Sequence, residues 1–261
     1  MEEIRKIVVA SADRETVVVG GMAVSILSKV FGVSNIEPCM TTDADFFGDR
    51  LAIEQSQQQL SDSGFVSRKY LATLDDEASP DSGRLAVDIA PDTQPVGIDF
   101  LFRIDGLATD DIGQKAMLVE VDGQQLKVLH PILLLENKIN NLAQYPKKRN
   151  EAGVNQARLA IAIARKYLEG FAKSEDAQRP MLQAIERVAR LATREASCFA
   201  FRGYGLDALN AIPHEIVIAQ EFAEKRWPQI MDLVAQRRAK FDELWSRMQI
   251  RSDPKKARFR I

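Results

Sequence analysis

Pro131 divides the chain into two textures, and that division limits the folds open to it. Before it, short apolar runs alternate with Gly, Asp, Ser and Pro punctuation. After it, apolar residues recur at helical spacing over long runs. Strands followed by helices predict an α+β head and an all-α second half. The boundary is expected within residues 123–130, giving one unit over 1–128 and a helical one over 129–261.

The local patterns assign elements along the head. Residues 15–19 read as a strand running into Gly20-Gly21. Residues 22–31 form an apolar helix, with Ala23, Ile26, Leu27 and Val30 in phase and Gly32 as its stop. Residues 41–47 make a second strand, and 51–63 a Gln-rich helix stopped by Gly64. Extended segments are expected at 65–73, 83–89 and 96–104. Residues 115–121 and 125–128 flank Asp122-Gly123, a hairpin signal. Pro131 suits a first helical turn, continued over 132–144. Further helices are predicted at 154–172, 176–197 and 213–250, the last broken at Pro228.

Composition excludes several classes. Of 261 residues, 46% are hydrophobic, too many for a disordered chain. Cys39 and Cys198 stand far apart with no metal-ligand spacing, which fits a reducing compartment. No apolar run reaches the ~20 residues of a membrane helix, and the N-terminus lacks a cleavable apolar region. A soluble, cytoplasmic protein is expected. Residues 225–261 hold eleven Lys or Arg against four Asp or Glu, so a local charge of +7 sits beside a body near -9. Such a tail attracts polyanions, or is a solvated helix face.

Chemistry concentrates in three places. In Thr41-Thr42-Asp43-Ala44-Asp45-Phe46-Phe47, strand alternation turns Asp43 and Asp45 to one face, with Ala44 and Phe46 on the other. Two carboxylates so placed repel unless a cation lies between them, and an oxygen-liganded divalent ion is the simplest one. A solvated strand end is the plainer alternative. In Val17-Val18-Val19-Gly20-Gly21-Met22, a β-run enters a Gly pair that opens a helix, a geometry able to cradle phosphates or simply to turn the chain. In Val96-Gly97-Ile98-Asp99-Phe100, one Asp interrupts an apolar strand, where it needs a metal or a basic partner. Asp88 competes with Asp99 for that role, and Asp99 is preferred for its longer, more apolar strand.

Taken together, strand-Gly-Gly-helix, an Asp-x-Asp strand and a later lone Asp resemble the DNA polymerase β-like nucleotidyltransferase superfamily over roughly residues 15–105. The run GGMAVS…TTDADFF looks most like bacterial nucleotidyltransferases of the AbiEii toxin type. The resemblance implies a mixed sheet with flanking helices, followed by the helical half. It implies two Mg²⁺ ions held by Asp43, Asp45 and Asp99, and an NTP whose nucleoside monophosphate passes to a hydroxyl of RNA, such as tRNA, or of protein. Asp99 would also accept the attacking hydroxyl's proton. Gly20, Gly21, Ser25, Thr42 and Lys138 are the residues expected around the nucleotide, and a cognate antitoxin is the implied protein partner. Ser25 and Lys138 also admit plain roles, as a packed or capping hydroxyl and a snorkelling lysine.

Lys147-Lys148-Arg149 matches the family's basic stretch, but the chain continues through Asn150 to Asn155 without the aspartate the family places there. Two other functions stand beside the first: transfer to a small molecule, such as an antibiotic, at the same site, and a non-catalytic interaction or nucleotide-binding module on the same fold, which the missing aspartate favours. His130 and His214 adjoin prolines at helix starts and read as structural, as do Trp227, Phe241 and Trp245 at helical spacing.

Overall fold

The computed structural model describes residues 2–252 apart from 14, 35, 38–40, 42, 73–79, 91–92, 172–177 and 215–219, with backbone alone at 248–252. The head runs α1 (Glu2–Ser11), β1 (Val17–Val19), α2 (Gly20–Val30), β2 (Ala44–Phe47), α3 (Arg50–Asp62), β3 (Val66–Leu71), β4 (Asp81–Asp88), β5 (Val96–Leu101), α4 (Thr109–Gln114), β6 (Met117–Val121) and β7 (Gln124–Val128). The second half is helical: α5 (Pro131–Gln144), α6 (Glu151–Phe171), α7 (Gln178–Ala192), α8 (Glu195–Tyr204) and α9 (Trp227–Ser252). The fold is α+β, as expected.

Seven strands form one mixed sheet in the order β3-β4-β5-β2-β1-β7-β6. β1 pairs antiparallel with β2 and parallel with β7, and β2 pairs parallel with β5. β4 joins β3 and β5 antiparallel, and β6 and β7 close the other edge as a hairpin through Asp122-Gly123. Val17, Val18 and Val19 are all buried, as a continuous apolar run requires of a central strand. Period-two alternation holds on β2 and β5: Ala44, Phe46, Ile98 and Phe100 are fully buried on one side, where the Phe46 and Phe100 rings stack with centroids 5.5 Å apart. The opposite side carries Asp45 and Asp99.

Helix starts follow ordinary capping chemistry. Asp49 caps α3 by accepting from the Ala52 N–H at 3.0 Å. His130 caps α5 by accepting from the Ile132 N–H at Nδ1, with Pro131 at the first helical position.

Two apolar cores meet at α5 and α6. Leu133 and Leu134 of α5, with Leu159 and Ile163 of α6, belong to the sheet's core. Leu135, Ile139 and Leu142, with Ala157, Ala164 and Leu168, belong to the helical core. Burying those five α5 side chains is worth on the order of 10 kcal/mol. Glu136, 1% exposed, lies between them and accepts from two guanidinium nitrogens of Arg187 on α7, Nε at 3.0 Å and Nη2 at 2.9 Å. Arg187 also reaches Asp111 on α4 at 2.6 Å.

Three expectations need correction. The helix expected over 176–197 is two helices: Arg194 is extended (φ -77, ψ 152) and the Thr193 hydroxyl donates to the Arg190 carbonyl. No Gly or Pro marks that break. It serves packing, since it lets Ser197 and Cys198 bury on α8 as Leu191 and Ala192 do on α7. The break expected at Pro228 lies just before it, as a π-turn over Phe222–Arg226, where proline's missing N–H leaves the helical ladder open. The second strand begins at Ala44, so Asp43 precedes the ladder. Among the described residues, no helix is long and apolar enough to cross a membrane.

Candidate active site

The sheet register builds a cross-strand row. Val19 on β1 faces Asp45 on β2, Asp45 faces Asp99 on β5, and Asp99 faces Arg84 on β4. The chain leaves β1 at Val19 and turns through Gly20, at φ +63, into α2. The row thus runs from a glycine turn through two carboxylates to a guanidinium.

Close approach explains the first glycine. A Cβ on Gly20 would stand 1.8 Å from Asp45 Oδ2, so the carboxylate occupies space that any other residue would fill. Asp45 accepts a hydrogen bond from the Gly21 N–H. One of the free donors of the α2 N-terminus is therefore taken by a protein carboxylate.

The carboxylates are held in an unfavourable electrostatic state. Burial pushes the Asp45 carboxyl above its usual range; Lys138 and Lys148 oppose that shift, and Asp43 adds to it. Burial also pushes Asp99 up to about 6, opposed by Arg84 and reinforced by Asp45, Asp43 and Asp81. Arg84 Nη2 lies 3.4 Å from Asp43 Oδ1, and Arg84 Nη1 lies 3.4 Å from Asp99 Oδ1.

Asp43, Asp45 and Asp99, with Gly20 and Gly21, line one wall of an open cleft of about 400 Å³. The opposite wall comes from α5 and α6. Asn137 and Asn141 on α5 and Tyr145 at its C-cap recur every fourth residue, with Lys138 beside them. Lys138 is 5% exposed and donates to Gln156 Oε1 on α6 at 2.9 Å. The Tyr145 hydroxyl donates to Asp105, which pushes its pKa up to about 12, with burial adding.

The cleft gathers Gly20, Gly21, Asp43, Asp45, Asp99 and Lys138, with Lys147 and Lys148 at its rim. Ser25 lies elsewhere: it shares a helix face with Met22, Ile26 and Lys29, and that face lines a separate groove beside Glu2 and Arg5. Thr42 lies outside the described residues, as does Cys39. Asp88 is not in the cleft; Arg68 on β3 holds both its oxygens, at 2.9 and 3.1 Å. Arg149 turns back to the Leu142 and Ala143 carbonyls at the end of α5 and covers the Phe199 ring. Asn155 donates to the Glu37 carbonyl at 2.8 Å.

Sequence reasoning missed Arg84, Asp81, Gln156 and the Asn137–Asn141–Tyr145 stripe. The stripe had a readable signal, a polar line at period four through an apolar helix. Arg84 had an indirect one: Gly97 in an apolar strand marks a close approach. A Cβ there would stand 1.9 Å from Arg84 Nη2.

The donor set fits a hard divalent cation, since it offers carboxylate oxygens that gain from added positive charge. As arranged, a guanidinium parts Asp43 from Asp99. Among the described residues, no three acidic, His or Cys side chains converge as an ion-enclosing group.

No protein-family profile and no curated protein matches the chain. Among solved structures, JHP933 from Helicobacter pylori is similar at 13% identity and a TM-score of 0.38, over 97% of this chain and 96% of that one. A second H. pylori structure, named "putative nucleotidyltransferase", is similar at 14% identity and a TM-score of 0.34, over 93% and 95% of the two chains.

Proposed function

We propose that the cleft transfers a nucleoside monophosphate from an NTP to a hydroxyl group. The observation that carries this reading is the Asp45–Asp99 pairing, set beside the Gly20-Gly21 turn and facing Lys138. Two neighbouring carboxylates, partly desolvated and on the polar side of a sheet, weaken a fold that has no use for their charge.

Asp43, Asp45 and Asp99 are the residues to hold divalent metal. A cation bound there would polarise the α-phosphate and neutralise the departing pyrophosphate. The chain's own groups supply the rest. Lys138 brings a fixed positive charge to the phosphates from the far wall. Its hydrogen bond to Gln156 sets its direction. Gly20 and Gly21 let the triphosphate approach the backbone. Asp99, whose pKa is lifted to about 6, is the best-tuned proton acceptor for the attacking hydroxyl.

The acceptor we favour is RNA or protein rather than a small molecule, on the strength of Lys147 and Lys148 at the rim. A role as the toxin of a toxin–antitoxin pair, with Mg²⁺ as the cation, follows from the sequence resemblance alone. Incubation with labelled NTPs, Mg²⁺ and cellular RNA or protein tests the reading. Label should pass to the acceptor with the wild type and not with Asp45→Ala or Asp99→Ala. Absence of transfer to either acceptor defeats it.

Gln156 supports a second reading, nucleotide binding without transfer, because a neutral amide faces Lys138 on α6. Calorimetry with ATP and Mg²⁺ separates the two: binding without turnover selects the second.

A further inference from the structure

Arg84 is an element of the site that a two-metal mechanism does not call for, and its placement is specific. It lies on β4, register-paired with Asp99, and its guanidinium crosses β5 over Gly97. One terminal nitrogen meets Asp43 and the other meets Asp99, both at 3.4 Å. A side chain at position 97 would exclude it. Its own side chain is 47% exposed, so it has room to swing into solvent.

We propose that Arg84 is a resident counter-cation that divalent metal must displace. The inference rests on the metal reading of Asp43, Asp45 and Asp99 above. With no metal bound, Arg84 offsets the repulsion among carboxylates that share one sheet face. Its forked donors hold Asp43 and Asp99 on either side of it. That separation accounts for why, among the described residues, no three acidic, His or Cys side chains converge on one point. When metal enters, Arg84 leaves, the two carboxylates close on the ion, and the freed guanidinium is available to the anionic nucleotide. Metal affinity is thus set below what the carboxylates alone would give, and metal binding couples to the position of a cationic side chain.

The test measures Mn²⁺ binding by electron paramagnetic resonance, without nucleotide and without any assay of transfer. Three variants remove the competitor in different ways. Arg84→Ala deletes it. Arg84→Gln keeps the stem on the sheet and removes the charge. Gly97→Ala keeps the charge and evicts the guanidinium by filling the space it crosses. All three should bind Mn²⁺ about tenfold more tightly than the wild type, the effect of about one pK unit of competing interaction. Their melting temperatures should rise more on adding Mn²⁺ than the wild type's does. Circular dichroism confirms that each variant compared is folded.

If wild type and variants bind Mn²⁺ with equal affinity, or the variants bind more weakly, Arg84 is not a competitor and the inference is overturned while the metal reading stands. If neither the wild type nor any folded variant binds Mn²⁺, the metal reading fails and the inference falls with it. Tightening in Gly97→Ala is the most telling result, because no charge has been removed.

Discussion

Asp45 lies so close to Gly20 that a single methyl group on that glycine would stand 1.8 Å from Oδ2. The turn that opens α2 and the first cleft carboxylate are therefore one structural unit. Gly20→Ala must displace the carboxylate and also place a side chain at φ +63. The expected cost is about 1–3 kcal/mol in urea unfolding. A transfer assay should show a loss of about 100-fold, since shifts near 1 Å have that effect on positioned groups.

Asp99 gives a pH-dependent prediction. Its folded pKa of about 6 lies above the ordinary 3.8, so the folded chain holds this proton more tightly than the unfolded one. Its contribution is fully favourable below about pH 4 and is lost as pH rises through about 6. Asp99→Asn removes that loss. At about pH 8 it should stabilise the fold by about 1–2 kcal/mol, a figure reduced for partial exposure, while abolishing transfer. Chemical denaturation with a parallel activity assay reads both effects. A destabilised Asn variant would show that the carboxylate serves the fold.

His130 acts in the opposite direction. Burial, with Arg187 and Lys115, holds its pKa down to about 4, against 6.5 ordinarily. Nδ1 accepts from the Ile132 N–H, so the neutral ring carries its proton on Nε2 and donates to the Tyr167 oxygen. Acid therefore breaks the α5 cap. Stability present above about pH 6.5 should fall by about 3 kcal/mol as pH drops toward 4. His130→Asn, which can still cap, should flatten that slope in unfolding curves taken across this range. The slopes from Asp99 and His130 oppose each other, so each single variant should expose the other residue's slope.

Arg187 joins α7 to both α5 and α4. Arg187→Met leaves Glu136 buried without a partner and should cost about 3–5 kcal/mol. Adding Glu136→Gln should recover part of that loss, because a neutral amide is cheaper to bury. A double-mutant cycle by thermal or urea unfolding measures the coupling, and strictly additive losses would refute it.

The residues differ in how far sequence alone could carry them. Asp45 needed only strand alternation, a local property, whereas Asp43 precedes the strand and lies beyond the reach of that rule. Asp99 needed a judgement of strand character, and the fold places it opposite Asp45 while Asp88 pairs with Arg68 toward the outer edge. Gly20 was legible as a turn, but its service to a particular carboxylate depends on β1–β2 register. Arg84 and Gln156 act through partners 15 and 18 residues away, Asp99 and Lys138, across different elements, and beyond the Gly97 that admits Arg84 no local pattern marks such meetings. The break between α7 and α8 was hidden for the same reason: its residues are acceptable helix formers, and packing ends the helix.

The sharing of α5 and α6 between two cores bears on how this protein can vary. Lys138 and Gln156 ride on helices whose other faces are rooted in the helical half. A cut at residue 128 would strip the sheet of Leu133, Leu134, Leu159 and Ile163 and remove one jaw of the cleft. The helical half is therefore no interchangeable cassette. Any graft onto a related sheet must carry α5 and α6 along with it.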